Sequence, residues 1–289
     1  MSSKGFIGLG VMGSAMAGHI SNKYSNLVVY NRTFDKAKSW VKMNGGKAVT
    51  NAAEVGELCE QIFLCVGNDA DVKEVVSGEE GVLQTMKKGG VIVDHTTISA
   101  DITKELSELC SKKDIGFIDA PVSGGQVGAE SGQLTVMAGG DEKCFGKVRK
   151  TIESYSKFIK LMGPSGSGQL TKMVNQICIA GLIQSLSEGL NFSEEVGLNT
   201  EEVIEVISKG AAQSWQMENR WETMLQDHYD HGFAVDHMRK DLDLVIEEAN
   251  KKDINLDLTK IVNGYYKEIQ DMGGNRWDTS SLLKRLKEL

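Results

Sequence analysis

Residues Gly8-Leu9-Gly10-Val11-Met12-Gly13 restrict this chain more than any other stretch. They follow a short apolar run, Gly5-Phe6-Ile7-Gly8, and lead into an amphipathic segment, so the glycines stand where a strand turns into a helix. The first glycine suits a tight turn, the second lets the backbone approach a bulky anion, and the third allows close strand–helix packing. The helix N-terminus that follows offers unpaired N–H groups and a favourable dipole to a pyrophosphate. On its own such a hexapeptide is only a glycine-rich turn. Its place between strand and helix makes it a dinucleotide fingerprint, with Gly8, Leu9, Gly10, Val11, Met12 and Gly13 as the cofactor-binding turn.

Cofactor choice is written at the end of the second strand, where an NAD site usually carries Asp or Glu to accept from the ribose hydroxyls. Here the strand ends Tyr30-Asn31-Arg32-Thr33, without a carboxylate. Arg32 can pair with a 2′-phosphate through its planar fork, and Asn31 and Thr33 can add hydrogen bonds. That favours NADP(H), with NAD(H) as the second cofactor; the alternative is an exposed arginine that merely opens the next helix.

The same rhythm continues through the first half. Leu27–Tyr30, Ile62–Val66, Val91–Val93 and Gly116–Ile118 read as buried strands, and the stretches 33–43, 52–59, 69–77 and 99–112 have helical spacing. Alternation of this kind gives a mostly parallel, doubly wound sheet covered on both faces. Leu134–Met137 and Lys157–Leu161 extend the sheet to about residue 162. Gly163-Pro164-Ser165-Gly166-Ser167-Gly168 then breaks the pattern, and strand signals cease. From Gln169 to about Val196 the chain fits one helix of roughly 40 Å, followed by helical stretches near 200–209, 212–226, 234–252, 256–271 and 279–288. The expected organisation is a Rossmann domain over 1–164 and an all-helical domain over 165–289, joined by the long helix.

Composition narrows the partners. A net charge of −8 leaves no basic surplus for nucleic acid. No apolar run approaches the roughly 20 residues of a membrane span, and Met1-Ser2-Ser3-Lys4 shows no signal peptide. Five cysteines without a CxxC pair suit reduced thiols in the cytoplasm.

Three later segments carry the chemistry. Asp119-Ala120-Pro121-Val122-Ser123-Gly124-Gly125 is a strand end running into a turn whose N–H groups and hydroxyl suit a carboxylate. In Gly168-Gln169-Leu170-Thr171-Lys172-Met173-Val174-Asn175-Gln176, helical spacing lets Lys172, Asn175 and Gln176 point the same way. The third is Met238-Arg239-Lys240-Asp241-Leu242.

In this order behind a Rossmann turn, the segments resemble the β-hydroxyacid dehydrogenase family along essentially the whole chain. That family includes 3-hydroxyisobutyrate dehydrogenase, tartronate semialdehyde reductase and the glyoxylate/succinic semialdehyde reductases. The resemblance implies that Val66 and Gly67 lie near the nicotinamide, with Thr96 and Thr97 as the Ser/Thr pair after the fifth strand. It makes Ser123, Gly124 and Gly125 the holders of the substrate carboxylate, with Thr97 and Gln176 beside the substrate. It makes Lys172 the catalytic lysine, Asn175 the residue that orients the substrate, and Lys240 a lysine facing the cofactor. It also implies a homodimer or homotetramer and a small aldehyde acid or hydroxy acid as substrate. An ammonium suits that chemistry, since hydride addition to a carbonyl leaves an oxygen in need of positive charge and a proton.

Gln176 stands where many 3-hydroxyisobutyrate dehydrogenases have a second Asn, and Cys65-Val66-Gly67-Asn68 lacks their frequent Leu-Pro pair. The Asn-Gln form is also common in the family's semialdehyde reductases, so Gln176 weakens the hydroxyisobutyrate assignment, while the altered loop implies a differently shaped nicotinamide pocket. The rival of another class is a non-catalytic NADPH-binding module. An imine reductase of this architecture fits less well, because those proteins generally lack the lysine. His228, His231 and His237 match no closed zinc pattern, so no metal is expected. Trp215, Met217, Trp221 and Met224 have the spacing of a core or interface stripe, with Trp215 alternatively walling the substrate pocket.

Overall fold

A computed structural model of the protein describes residues 3–288. The chain forms two compact units that divide between Lys172 and Met173. The first contains strands β1 (Lys4–Ile7), β2 (Val28–Tyr30), β3 (Lys47–Ala48), β4 (Gln61–Leu64), β5 (Val91–Asp94), β6 (Gly116–Asp119), β7 (Val122–Ser123), β8 (Leu134–Gly140) and β9 (Ser156–Leu161). Helices α1 (Val11–Lys23), α2 (Phe34–Asn44), α3 (Ala52–Leu58), α4 (Asp69–Ser77), α5 (Ala100–Ser111), α6 (Gly125–Glu130) and α7 (Glu142–Ile152) connect them, and α8 (Ser167–Glu195) starts there.

The sheet runs β3-β2-β1-β4-β5-β6-β8-β7, with β9 beside β8. Strands β1 to β6 are parallel, whereas β8 is antiparallel to β6 and β7. Winding reverses between β1 and β4, and in such sheets ligands bind outside the carboxyl ends of the strands at that switch point.

Unbroken apolar runs form strands here because both faces are covered. Phe6, Phe63, Val93 and Ile118 pack on one face with Met16 and Ile20 of α1 and Val148 of α7. Ile7, Ile62, Ile92 and Phe117, one residue out of phase, pack on the other with Val55, Val76 and Leu106 of α3, α4 and α5. The helical stretches expected between the strands form as α2 to α5.

The second unit carries the rest of α8 and helices α9 (Thr200–Ile207), α10 (Trp215–Leu225), α11 (Val235–Lys251), α12 (Asp257–Asp271) and α13 (Leu282–Lys287). Among its described residues the β structure is one isolated bridge, Ala234 to Asp278. Ile183, Leu242, Val262 and Tyr266 form one core, and Leu190, Met217 and Met224 belong to a second. Met217 and Met224 are therefore core residues, as their spacing suggested, while Trp215 is half exposed with the Arg220 guanidinium 4.9 Å from its ring centroid. Among the described residues no helix is long and apolar enough to cross a membrane.

His95, which follows β5, locks strands of the first unit together. Its Nδ1 lies 2.7 Å from the Ala120 carbonyl, which can only accept, so Nδ1 carries the proton. Nε2 then accepts from the Tyr155 hydroxyl at 2.9 Å. Complete burial lowers the imidazole pKa from 6.5 to about 4. The unfolded chain takes up this proton near 6.5 while the folded one resists it to about 4, so stability present above pH 6.5 is lost as pH falls through that window. Asp119, whose pKa burial raises, contributes with the opposite sign, so comparison with a variant isolates His95. Between pH 7 and pH 4.5, wild type is expected to lose about 2–3 kcal/mol more than His95→Gln. Urea midpoints at both pH values measure this; equal losses would refute it.

Candidate dinucleotide and catalytic site

The glycine turn joins β1 to α1. Gly8 adopts φ +91° and donates its N–H to the Tyr30 carbonyl at 2.9 Å; a Cβ there would fall 2.2 Å from the Cys65 carbonyl oxygen. At Gly13 a Cβ would fall 1.9 Å from the Gly8 oxygen, so packing alone demands glycine. Gly10 differs: its φ of −70° is ordinary, and a Cβ would meet nothing within 4 Å. It N-caps α1 without a side-chain hydrogen bond, and the first turn carries no acid. Open space beside an uncapped helix end fits the close approach of a pyrophosphate.

Asn31 braces this turn. Its Oδ1 accepts the Leu9 N–H at 2.9 Å, and its Nδ2 donates to the Thr33 carbonyl at 3.1 Å. Leu9 is buried, Met12 packs against the core and Val11 is exposed. Thr33 N-caps α2. Arg32 is 86% exposed and its Nη1 meets Asp71 Oδ1 of α4 at 3.1 Å. Although β2 itself ends without a carboxylate, α4 brings one to Arg32 from the other side of β1.

Beyond β4 and β5, hydrogen bonds gather three segments. The Val66 N–H donates to Thr96 Oγ1 at 3.0 Å, and the Thr96 N–H to Asp94 Oδ1 at 2.8 Å. Gln169, fully buried in the first turn of α8, donates from Nε2 to the Thr96 carbonyl at 2.7 Å and accepts the Ile98 N–H at 3.2 Å. Thr97 lies between these two contacts and is half buried, while Gly67 is exposed. The Asp119 carboxylate, buried at the end of β6, accepts N–H groups of Gly166 at 2.9 Å and Gln169 at 3.0 Å. A Cβ on Gly139 or Gly168 would come within 2.7 Å of that carboxylate, so both glycines make room for it. Lys172 follows Gln169 by three residues on the same helix and is only 7% exposed. Ser123 ends β7, and Gly124 and Gly125, with φ of +132° and +60°, carry the turn into α6.

In the second unit the Asn175 amide donates to Gln176 Oε1 at 2.7 Å, and Gln176 Nε2 donates to Asp241 Oδ2 at 2.8 Å. Asp241 is buried, and its other oxygen lies 3.0 Å from Lys240 Nζ. Gln176 is thus a buried brace between Asn175 and α11, with both ends of its amide engaged by protein. The sequence alone assigns no role to Gln169, Asp119 or Asp71, and Asp241 enters only as the neighbour of Lys240 in the family's Lys-Asp pair, although Gln169 stands one helical turn before Lys172. The imidazoles of His228 and His231 meet edge to face at 5.2 Å, and among the described residues no group of three His, Cys, Asp or Glu side chains could hold a metal ion.

The comparisons with known proteins agree with this architecture. Residues 3–163 match the NAD binding domain of 6-phosphogluconate dehydrogenase, and residues 166–286 match the family described as NAD-binding of NADP-dependent 3-hydroxyisobutyrate dehydrogenase. An oxidoreductase of Shewanella frigidimarina is 53% identical over 288 residues, covering 100% of this chain and 99% of that protein. The 2-hydroxy-3-oxopropionate reductase of Escherichia coli is 34% identical, covering 98% of this chain and 96% of its own. The crystal structure of 3-hydroxyisobutyrate dehydrogenase from Salmonella typhimurium superposes with a TM-score of 0.86 at 26% identity, covering 98% and 99%. A Rossmann unit with an open glycine turn, followed by a helical unit of this kind, defines an NAD(P)-dependent oxidoreductase. The chain belongs to the β-hydroxyacid dehydrogenase family.

The two glycines of the turn should separate experimentally. Gly13→Ala is expected to lower Tm by several degrees, because its methyl group meets the Gly8 carbonyl. Gly10→Ala should leave Tm unchanged yet weaken dinucleotide binding at least about tenfold, since its methyl group fills only ligand space. Thermal melts with fluorescence titration of reduced cofactor report both; wild-type affinity in Gly10→Ala would refute the assignment.

Proposed function

We propose that the protein is an NADPH-preferring reductase of small aldehyde acids of the glyoxylate or succinic semialdehyde class, reversible as oxidation of the hydroxy acid. The observation that carries this reading is Lys172: a nearly buried lysine on α8, one turn after Gln169 and Asp119 clamp that helix to the strand ends. A helical lysine without a task is ordinarily solvated. The likeness to an Escherichia coli reductase of an aldehyde acid supports the substrate class, and the match to an NADP-dependent family supports the cofactor.

Bound cofactor supplies hydride to the carbonyl carbon. The Lys172 ammonium donates a proton to the carbonyl oxygen and balances its developing negative charge; in the oxidative direction the amine takes the proton back. Asn175, one turn further on, orients that oxygen through its amide, and the Gln176–Asp241 bridge holds Asn175 in place. Ser123 and the N–H groups of Gly124 and Gly125 hold the substrate carboxylate, with Thr97 beside them. Thr96 fixes the Val66–Gly67 loop against the nicotinamide, and Arg32 with Thr33 receives the 2′-phosphate. Lys240 is assigned to the cofactor from the family resemblance. Residues 1–164 form the cofactor domain, which also lends the Ser123 turn to the substrate, and residues 165–289 form the substrate and assembly domain, which also lends Lys240 to the cofactor. Exposed apolar side chains such as Phe192, Val196 and Val206 support a homodimer or homotetramer, and five free cysteines support the cytoplasm.

The second reading, 3-hydroxyisobutyrate dehydrogenase, is favoured by the same family match and by the Salmonella typhimurium structure. A non-catalytic NADPH-binding module would have no use for a buried Lys172 beside Asn175.

Lys172→Ala is expected to cut kcat by about 10²-fold or more while leaving NADPH affinity nearly unchanged. Lys172→Arg should restore little, because a guanidinium keeps its proton. Steady-state kinetics on a panel of aldehyde acids and hydroxy acids tests this together with the substrate class; near-normal kcat in Lys172→Ala would remove the lysine from the mechanism. An aldehyde acid should also exceed its amide in kcat/KM by at least about tenfold if the Ser123 turn binds a carboxylate. Arg32→Glu should weaken NADPH far more than NADH, and equal losses would overturn the preference.

A further inference from the structure

Arg32 leaves the end of β2, and Asp71 lies in the first turn of α4, which follows β4. Strands β2 and β4 flank β1, so the Arg32–Asp71 ion pair reaches across the end of β1 from which the glycine turn emerges. The acid is the less exposed partner. Its N–H is capped by Asn68 Oδ1 at 3.0 Å, and its Oδ2 lies where a Cβ on Gly67 would come within 2.4 Å. Its side chain is 28% exposed, against 86% for Arg32. Two further carboxylates share this neighbourhood: Glu74 and Glu80 act on the Tyr30 hydroxyl that Arg32 also acts on. The Arg32 cation is paired with the Asp71 carboxylate before any cofactor arrives.

We propose that Asp71 is a specificity-determining residue, which competes with the 2′-phosphate for Arg32 and so narrows the preference for NADPH over NADH. The inference rests on Arg32 as the 2′-phosphate ligand. A phosphate that takes the guanidinium competes with the Asp71 carboxylate for it and remains close to that carboxylate. Two anions on one exposed cation repel, and solvent limits the penalty to about a factor of ten. NADH carries a hydroxyl at that position and meets no such repulsion. Asp71 therefore acts as a negative element against one of two cofactors, a recognised way of setting a ratio of affinities.

Titrating the intrinsic fluorescence of NADPH and NADH against the full chain, Asp71→Asn, Arg32→Gln and the double variant tests the proposal. Asp71→Asn should tighten NADPH about five- to tenfold and leave NADH within about twofold. In the Arg32→Gln background the same change should yield no gain, because the competition needs the guanidinium. Unchanged NADPH affinity in Asp71→Asn would overturn the proposal. So would weakened NADH with NADPH unaltered, which would make Asp71 an acceptor for ribose hydroxyls. An equal gain in both backgrounds would also overturn it, leaving only general repulsion. If Arg32→Gln weakens NADPH selectively while Asp71→Asn does nothing, the inference fails and the cofactor reading stands; if Arg32→Gln weakens both cofactors equally, the reading of Arg32 itself fails.

Discussion

Two backbone N–H groups, those of Gly166 and Gln169, point at a carboxylate that water cannot reach. Desolvation pushes the Asp119 carboxyl upward, and the N–H groups around it pull the other way. Hydrogen bonds to a charged acceptor are each worth about 1.5–3 kcal/mol, and a buried carboxylate without them would be costly. This places the first turn of α8 at the end of β6. Gln169 ties the same turn to Thr96 and Ile98 after β5, and Thr96 ties onward to Val66 after β4. The ends of three adjacent parallel strands are joined to the start of one helix through three side chains, those of Asp119, Gln169 and Thr96.

That arrangement separates tasks that one loop would otherwise share. The glycine turn and Arg32 belong to β1 and β2, the Val66 and Thr96 segments to β4 and β5, and Lys172 to the helix that Asp119 anchors. Each group is backed by buried packing on the two faces of the sheet, so its position depends little on the exposed loops around it. At Gly10 an added Cβ would meet nothing of the protein within 4 Å, which suits a position shaped for a ligand.

Much of this was legible in the sequence, for physical reasons. Strands buried on both faces leave unbroken apolar runs, and helices packed on one face leave periodic ones, so β1, β2, β4 to β6 and α2 to α5 could be read directly. Most of what escaped lacked such a signal. Strand β3 is two residues, Lys47 and Ala48, with no apolar run to betray it. Helix α6 is built around glycines and read only as a turn. Helix α7 was passed over although Asp141 caps it and Phe145, Val148 and Ile152 have helical spacing. Among site residues, glycines and lysine announce themselves by type, whereas Asp71, Asp119, Gln169 and Asp241 owe their positions to partners about 40 to 75 residues away in sequence. Long-range pairing of polar side chains has no local periodicity to reveal it.

Helix α8 runs unbroken from Ser167 to Glu195, and Gln169, Lys172, Asn175 and Gln176 are carried on it within eight residues. Each residue added to an α-helix turns everything after it by about 100°. One residue deleted between Gln169 and Lys172 would turn the lysine to about 200° from the buried glutamine, and one deleted between Lys172 and Asn175 would part amine from amide in the same way. The helix therefore works as a gauge of fixed length. Side chains along it can be exchanged one at a time, whereas the loss of a single residue turns every later side chain away from the earlier ones, so this stretch of helix tolerates substitution far better than deletion.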